Sequence, residues 1–298
     1  MLNCGYAFTS RISGIDDGKI LLPYLASCYS HSSAQAWRQS LDAGEVTLNG
    51  VIVNGSETVR AGQILVWNRP PWEEPDAPRR FDVLFDDPHL LAVNKPSGLP
   101  TLPGAGFLEN TLLRLVQKQY PSANPVHRLG RGTSGIVLFA KSSQAAATLS
   151  ANWNTAKIQK IYRALAQHVA QHEVYEILTP IGLAPHPRLG RVWASCASGK
   201  ASKSIAKVIS RAADSTIFEV SLYSGRPHQI RIHLASIGHP LVGDPLYGPT
   251  GQPLENLPGL PGDGGYLLHA QYLKFEHPIT GEQINLEAAL PSEFLSHL

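Results

Sequence analysis

Cysteine is scarce in this chain: Cys4, Cys28 and Cys196 are the only three. An odd number at wide spacing excludes a disulfide framework, and with no Cys-x-x-Cys pair the commonest zinc signature is missing as well. A reducing compartment is therefore expected, and with it a cytoplasmic location. Long apolar runs are also missing. No stretch approaches the roughly 18 residues a membrane-spanning helix needs, so no membrane partner is expected, and the N-terminal residues MLNCGYAFTSRISGIDDGK lack the apolar centre of a secretory signal. Charged residues make up only 16% of the chain against 43% hydrophobic, which excludes an extended disordered polyelectrolyte and fits a packed globular protein. There is no internal repeat at solenoid or propeller periods. A net charge of +2 permits a polyanionic partner without requiring one, because a local patch matters more than the sum.

What the chain does have is turns. Gly (26) and Pro (23) exceed their usual share, and 298 residues suffice for one small and one large domain. Residues 17–67 read as a small module. Helices are expected at 19–29, despite Pro23, and at 32–41, with Ser32 or Ser33 as cap. Strands at 46–48 and 51–53 flank the hairpin turn Asn49-Gly50, and a turn plus last strand occupies 59–66. Residues 68–79, NRPPWEEPDAPR, read as a Pro-rich linker. This divides the chain into 1–75 and 76–298. Two helices followed by short strands, with GEVTLNG and VRAGQ at this spacing, resemble an S4-type RNA-binding domain, in which Arg38 would face RNA.

From residue 80 the pattern mixes strands and helices. Strands are expected at 81–85, 90–94, 135–140, 161–167, 206–209, 216–222 and 271–275, with helices at 111–119, 144–153 and 230–237. Without regular strand–helix–strand repetition, the expected class is α+β with a mixed, largely antiparallel sheet. Several chemistries drop out. His228, His233 and His239 are five and six apart, a spacing that does not put metal ligands on one helical face, so no metal is expected. Gly132-Thr133-Ser134-Gly135 is not a hydrolase elbow, and no dinucleotide or Walker loop occurs.

Four stretches carry the chemistry: LLAVNKPSGLPTLPG (90–104), VHRLGRGTSGIVLFAK (126–141), KIYRALAQ (160–167) and YSGRPHQIRIHLASIGHPLVGDPLYG (223–248). The second is a polar, Gly-rich turn running into an apolar strand, where sites are often built. In this order, the four closely resemble the RluA-type RNA pseudouridine synthases over roughly residues 80–290. That resemblance implies isomerisation of uridine to pseudouridine in RNA, with no cofactor and with a monomer acting on rRNA or tRNA. The reaction breaks the N1–C1′ bond, turns the uracil over and bonds C5 to C1′. The nucleotide must leave its stack, which calls for a pocket and basic groups. A carboxylate near the developing positive sugar is valuable, as in glycosidases.

The resemblance also assigns positions. Tyr162 matches the tyrosine on the flipped base, Arg231 the arginine that pairs with the catalytic carboxylate, and Arg128 an arginine of the catalytic loop. Lys95, Arg131, Lys160 and His228 are the expected RNA contacts, with Lys95 and Lys160 also readable as plain surface lysines. Gly130 stands where the family carries its catalytic aspartate, and Gly132 where a second acid is common. Either another acid replaces it, with Asp244 best placed and Asp86 and Asp87 behind it, or the protein binds RNA without isomerising it. Before Pro245, Asp244 also reads as a turn aspartate, and that is its stronger reading.

Overall fold

The computed structural model describes residues 2–29, 32–256, 259–260 and 262–295. The chain divides into two compact units, Met1–Glu74 and Pro75–Leu298.

The first unit contains β1 (Tyr6–Arg11), α1 (Leu21–Cys28), α2 (Ala34–Asp42), β2 (Val46–Leu48), β3 (Val51–Ile52) and β4 (Ile64–Arg69). Pro23 sits in the first turn of α1, where its missing N–H has no helical partner to lose. Ser33 caps α2 by accepting from the Ala36 amide at 3.1 Å. Asn49 and Gly50 both take positive φ (51° and 81°), the geometry of a tight hairpin between β2 and β3. The sheet order is β1-β4-β2-β3. Its core gathers Leu21, Leu25, Trp37, Leu41 and Val46.

Two expectations for this unit fail. β1 was invisible because it buries no side chain and so lacks an inward apolar pattern; its backbone pairing with β4 creates it. The expected linker is not free at its start, since Asn68 and Arg69 belong to β4. Beyond them Arg69 stacks on Trp72 at 3.7 Å, and Asn3 donates to the buried Glu74 at 2.9 Å.

The second unit contains β5 (Asp82–Asp86), β6 (Leu90–Lys95), α3 (Leu112–Gln119), β7 (Asn124–Pro125), β8 (Ser134–Ala140), α4 (Ser143–Asn152), β9 (Gln159–Gln167), β10 (Val174–Ile177), β11 (Ile181–His186) and β12 (Gly190–Ser195). It continues with β13 (Ser204–Arg211), β14 (Ser215–Leu222), α5 (Gln229–Ser236), β15 (Leu268–Glu276), β16 (Gln283–Glu287) and α6 (Ser292–Leu295). The main sheet runs β10-β13-β14-β9-β15-β8-β6-β5, with β16 beside β15 and β7 beside β8; β11 and β12 form a separate hairpin. Among the described residues only β8–β15 pairs in parallel, so the mixed, largely antiparallel α+β expectation holds. β8 is buried along its whole length, which is why SGIVLFA reads as a continuous apolar run. The expected elements are present with ends shifted by a few residues. β10, β16 and the β11–β12 hairpin were not foreseen. Their burial is partial and their sequences mix polar with apolar residues.

Register lines up the site. Lys95 pairs with Gly135, Gly135 with Ala270, Ala270 with Tyr162, and Tyr162 with Val220. One row across five strands therefore carries Tyr162 and Lys95, although 67 positions separate them in sequence (162 − 95). The row closes because residue 135 is glycine: its φ is 108°, and a Cβ there would lie 2.3 Å from the Ala270 carbonyl oxygen. Gly135→Ala is expected to cost at least ~3 kcal/mol, whereas Gly14→Ala, with nothing within 4 Å, stays near neutral. Urea midpoints of the two variants check this; equal midpoints would contradict the close approach.

Candidate active site

The loop entering β8 is clamped by the turn that follows β6. Ser97 Oγ donates to the Gly132 carbonyl at 2.7 Å, and the Gly98 amide to Arg131 at 2.8 Å. Thr101 Oγ1 donates to the Leu129 carbonyl at 2.9 Å and accepts from its amide at 3.2 Å. At the centre, the fully buried Lys95 ammonium donates to the carbonyls of Leu99 (2.7 Å), Pro96 (2.9 Å) and Arg131 (3.2 Å). Desolvation lowers its pKa to about 7. This corrects the expectation that Lys95 contacts phosphate: its donors are spent inside the protein. Lys160 is corrected likewise. It is buried and donates to the Trp153 carbonyl at 2.9 Å.

Across the loop, α5 holds Arg231. Its guanidinium binds Asp244 through two parallel bonds, Nε to Oδ2 at 2.7 Å and Nη2 to Oδ1 at 2.6 Å, with both side chains all but closed to solvent. Rings of Tyr247 (4.9 Å) and Tyr266 (4.3 Å) lie against it. Asp244 also accepts from the amides of Leu246 (2.9 Å) and Tyr247 (3.1 Å). The Arg231 partner is thus the turn aspartate itself. Its lone pairs are saturated, so it is not an available catalytic carboxylate. Asp86 and Asp87 are engaged elsewhere, with Lys141 and with the amides of His89 (2.7 Å) and Leu90 (2.6 Å).

His228 was expected on the helix but lies just before it, with φ at 56°, a left-handed conformation that histidine tolerates better than most residues. Tyr247 Oη donates its proton to the Trp193 carbonyl at 2.7 Å, so at 2.8 Å it accepts from His228 Nδ1. Burial, with Arg231 and Arg128 nearby, lowers the His228 pKa to about 4. His228 is neutral at physiological pH and is no phosphate-binding cation, a third correction to the expected RNA contacts. Arg128 is exposed and makes no hydrogen bond or ion pair among the described residues. Arg131 is half-buried and turns to the Gly262 carbonyl (2.9 Å) and Asp263 (3.5 Å). Arg38, in the first unit, is exposed and donates to the Asn54 carbonyl at 3.0 Å.

Tyr162 joins two core clusters, one containing Leu129 and Ala270, the other Ile230 and Tyr266. Burial pushes its hydroxyl up to about 12, so it is a neutral phenol. The two loop glycines differ. A Cβ on Gly132 would lie 2.8 Å from Gly264 Cα and 2.9 Å from the Tyr266 ring, so no side chain fits. A Cβ on Gly130 would meet only the Tyr266 hydroxyl at 3.0 Å and Thr133 Oγ1 at 3.6 Å. Beside this loop opens a cavity of about 610 Å³ lined by Ser97, Arg131, Pro245, Asp263, Gly264 and Gly265 among others. Sequence reading did not single out Asp263, Tyr247 or Tyr266. Tyr247 lay within a quoted motif; Asp263 and Tyr266 offered only the signal Asp-Gly-Gly-Tyr ahead of a strand.

At the strand ends of a mixed, mostly antiparallel sheet the site thus combines a clamped Arg-Leu-Gly loop, a neutral tyrosine and a buried arginine. The sequence model of the RNA pseudouridylate synthase family matches residues 89–236. An uncharacterised RNA pseudouridine synthase of Synechocystis sp. is 41% identical over 93% of this chain and 96% of its own. RNA pseudouridine synthase 5 of Oryza sativa subsp. japonica is 36% identical over 96% and 86%. Ribosomal large subunit pseudouridine synthase D of Pseudomonas aeruginosa is 31% identical over 90% and 86%. The solved human RNA pseudouridylate synthase domain containing 1 shares the fold, with a TM-score of 0.57 and 22% identity over 74% of this chain and 87% of that one. The chain belongs to the RNA pseudouridine synthase family.

Lys95→Met leaves three carbonyls without their donor and is expected to cost roughly 2–4 kcal/mol, read from urea unfolding. A phosphate contact would instead lower RNA affinity and its salt slope at unchanged stability. A pH effect also follows. His127, His228 and His233 have pKa values lowered from 6.5 to about 3, 4 and 4, chiefly by burial. Between pH 6.5 and 4 the unfolded chain binds protons that the folded chain refuses, so stability is lost as pH falls through that window. The urea midpoint is expected to be lower at pH ~5.5 than at pH ~7.5; a flat profile would contradict the buried neutral imidazoles.

Proposed function

We propose that the protein isomerises uridine to pseudouridine in structured RNA, ribosomal or transfer, acting as a cytoplasmic monomer without cofactor or metal. The reading rests on one observation: the free guanidinium of Arg128 projects from a loop clamped beside Tyr162 and the buried Arg231. Arg128 then holds the displaced backbone, since an unpaired exposed cation is what a phosphate needs. Tyr162 packs on the everted uracil. Arg231 acts through its pairing with Asp244, fixing the loops around the base. The large-subunit RNA named for the Pseudomonas relative favours ribosomal RNA as substrate. The first unit serves as an S4-like RNA-binding domain, with Arg38 on its exposed helix face, and 76–298 is the catalytic domain.

Gly130 favours a second reading, an RNA-binding protein or chaperone without turnover, because loss of a carboxylate from a charge-developing site costs several powers of ten in rate. Mapping pseudouridine in total RNA of a deletion strain separates the two. One or more sites are expected to disappear and to return with the wild-type gene but not with Arg128→Ala or Tyr162→Ala. A strain that keeps every site, with the purified protein still binding RNA, would establish the second reading.

A further inference from the structure

We propose that Asp263 supplies the carboxylate that position 130 lacks. The inference rests on the pseudouridine synthase reading and names a catalytic residue for it.

The segment ahead of β15 runs directly along the catalytic loop. Asp263 meets Arg131, Gly264 meets Gly132, and Tyr266 meets Gly130: Arg131 Nη2 lies 3.5 Å from Asp263 Oδ1, a Cβ on Gly132 would be 2.8 Å from Gly264 Cα, and a Cβ on Gly130 would be 3.0 Å from the Tyr266 hydroxyl. Asp263 lines the cavity together with Arg131, the residue that follows Gly130 in the loop. Two described acids line that cavity, Asp76 and Asp263. Asp76 is 95% exposed and among the described residues pairs only with Arg79, at 3.8 Å, so no described residue aims it. Asp263 is held: Oδ2 accepts from the Leu260 amide at 2.8 Å, and Arg131 anchors the chain by donating to the Gly262 carbonyl at 2.9 Å. Its side chain is 38% exposed, open enough to meet a ligand. Asp244 is excluded by four donors and closure from solvent. Tyr266 is 3% exposed, with its hydroxyl 3.3 Å from Thr133.

Chemically, Asp263 does what a negative group near C1′ must do. As the N1–C1′ bond breaks, its electron pair stays on uracil N1 and C1′ becomes positive; the fixed carboxylate faces that charge. The uracil turns, C5 supplies the pair for the new C5–C1′ bond, C5 loses its proton and N1 gains one. Product and substrate have the same formula, so no co-reactant is needed. The same packing accounts for Gly132, since a larger residue there would push away the segment that carries Asp263.

The test uses the full-length protein with total cellular RNA as substrate. Single-turnover pseudouridine formation, RNA affinity and thermal midpoint are compared for wild type, Asp263→Asn, Asp76→Asn and Asp263→Asn combined with Gly130→Asp. Asp263→Asn is expected to slow the reaction at least ~100-fold, with affinity within about twofold and the melt unchanged. Asp76→Asn is expected to stay within about threefold, and Gly130→Asp to recover at least ~10-fold in the Asp263→Asn background. Wild-type rates for Asp263→Asn, or a loss that Gly130→Asp fails to recover, would overturn the inference while leaving the family reaction intact. A wild-type protein that forms no pseudouridine overturns the functional reading, and this inference with it.

Discussion

The pair between Arg231 and Asp244 organises the second unit. Two buried charges are costly to desolvate, and such a pair persists only with good geometry and further hydrogen bonds. Here both conditions are met. The bonds are parallel and short, and backbone amides complete the carboxylate. Tyrosines on the guanidinium then reach outward. Tyr247 connects to His228 and to the β11–β12 hairpin, and Tyr266 to Gly130, Gly132 and Thr133. Removing either charge strands the other and loosens the walls of the site together.

A second device works from the opposite side. Lys95 ends a buried strand with its ammonium among three carbonyls, joining its own turn to Arg131. Loops are ordinarily the mobile parts of a fold. This one is fixed at Leu129 and Gly132 by side chains of the facing turn and at Arg131 by the backbone amide of Gly98. A base turned out of its stack is expensive to hold, and a pre-formed wall lowers the ordering cost of binding it. Arg128 in this clamped loop stays exposed, with no hydrogen bond or ion pair among the described residues.

Much of this was legible in the chain. The apolar run of β8, the capped helices α2, α3 and α4, and the Asn49-Gly50 hairpin follow from local rules, because period, caps and turn chemistry act within a few residues. What failed was the environment of individual cations. Lys95, Lys160 and His228 read as phosphate contacts because sequence shows charge but not desolvation; the fold buries all or most of each and gives it an internal partner. β1 and the β11–β12 hairpin were missed because backbone pairing, with no periodic apolar face, defines them.

The sequence by itself determined the class of fold, the location of the loops and the absence of an acid at position 130, since each depends on residue identity and short-range pattern. Only the tertiary structure decided which carboxylate Arg231 engages, that Gly132 is forced by contact while Gly130 is not, and that Asp263 lies beside the catalytic loop. These are encounters between segments up to 136 positions apart (266 − 130), and distances of that kind are set by strand register and packing across the sheet, which no local pattern encodes.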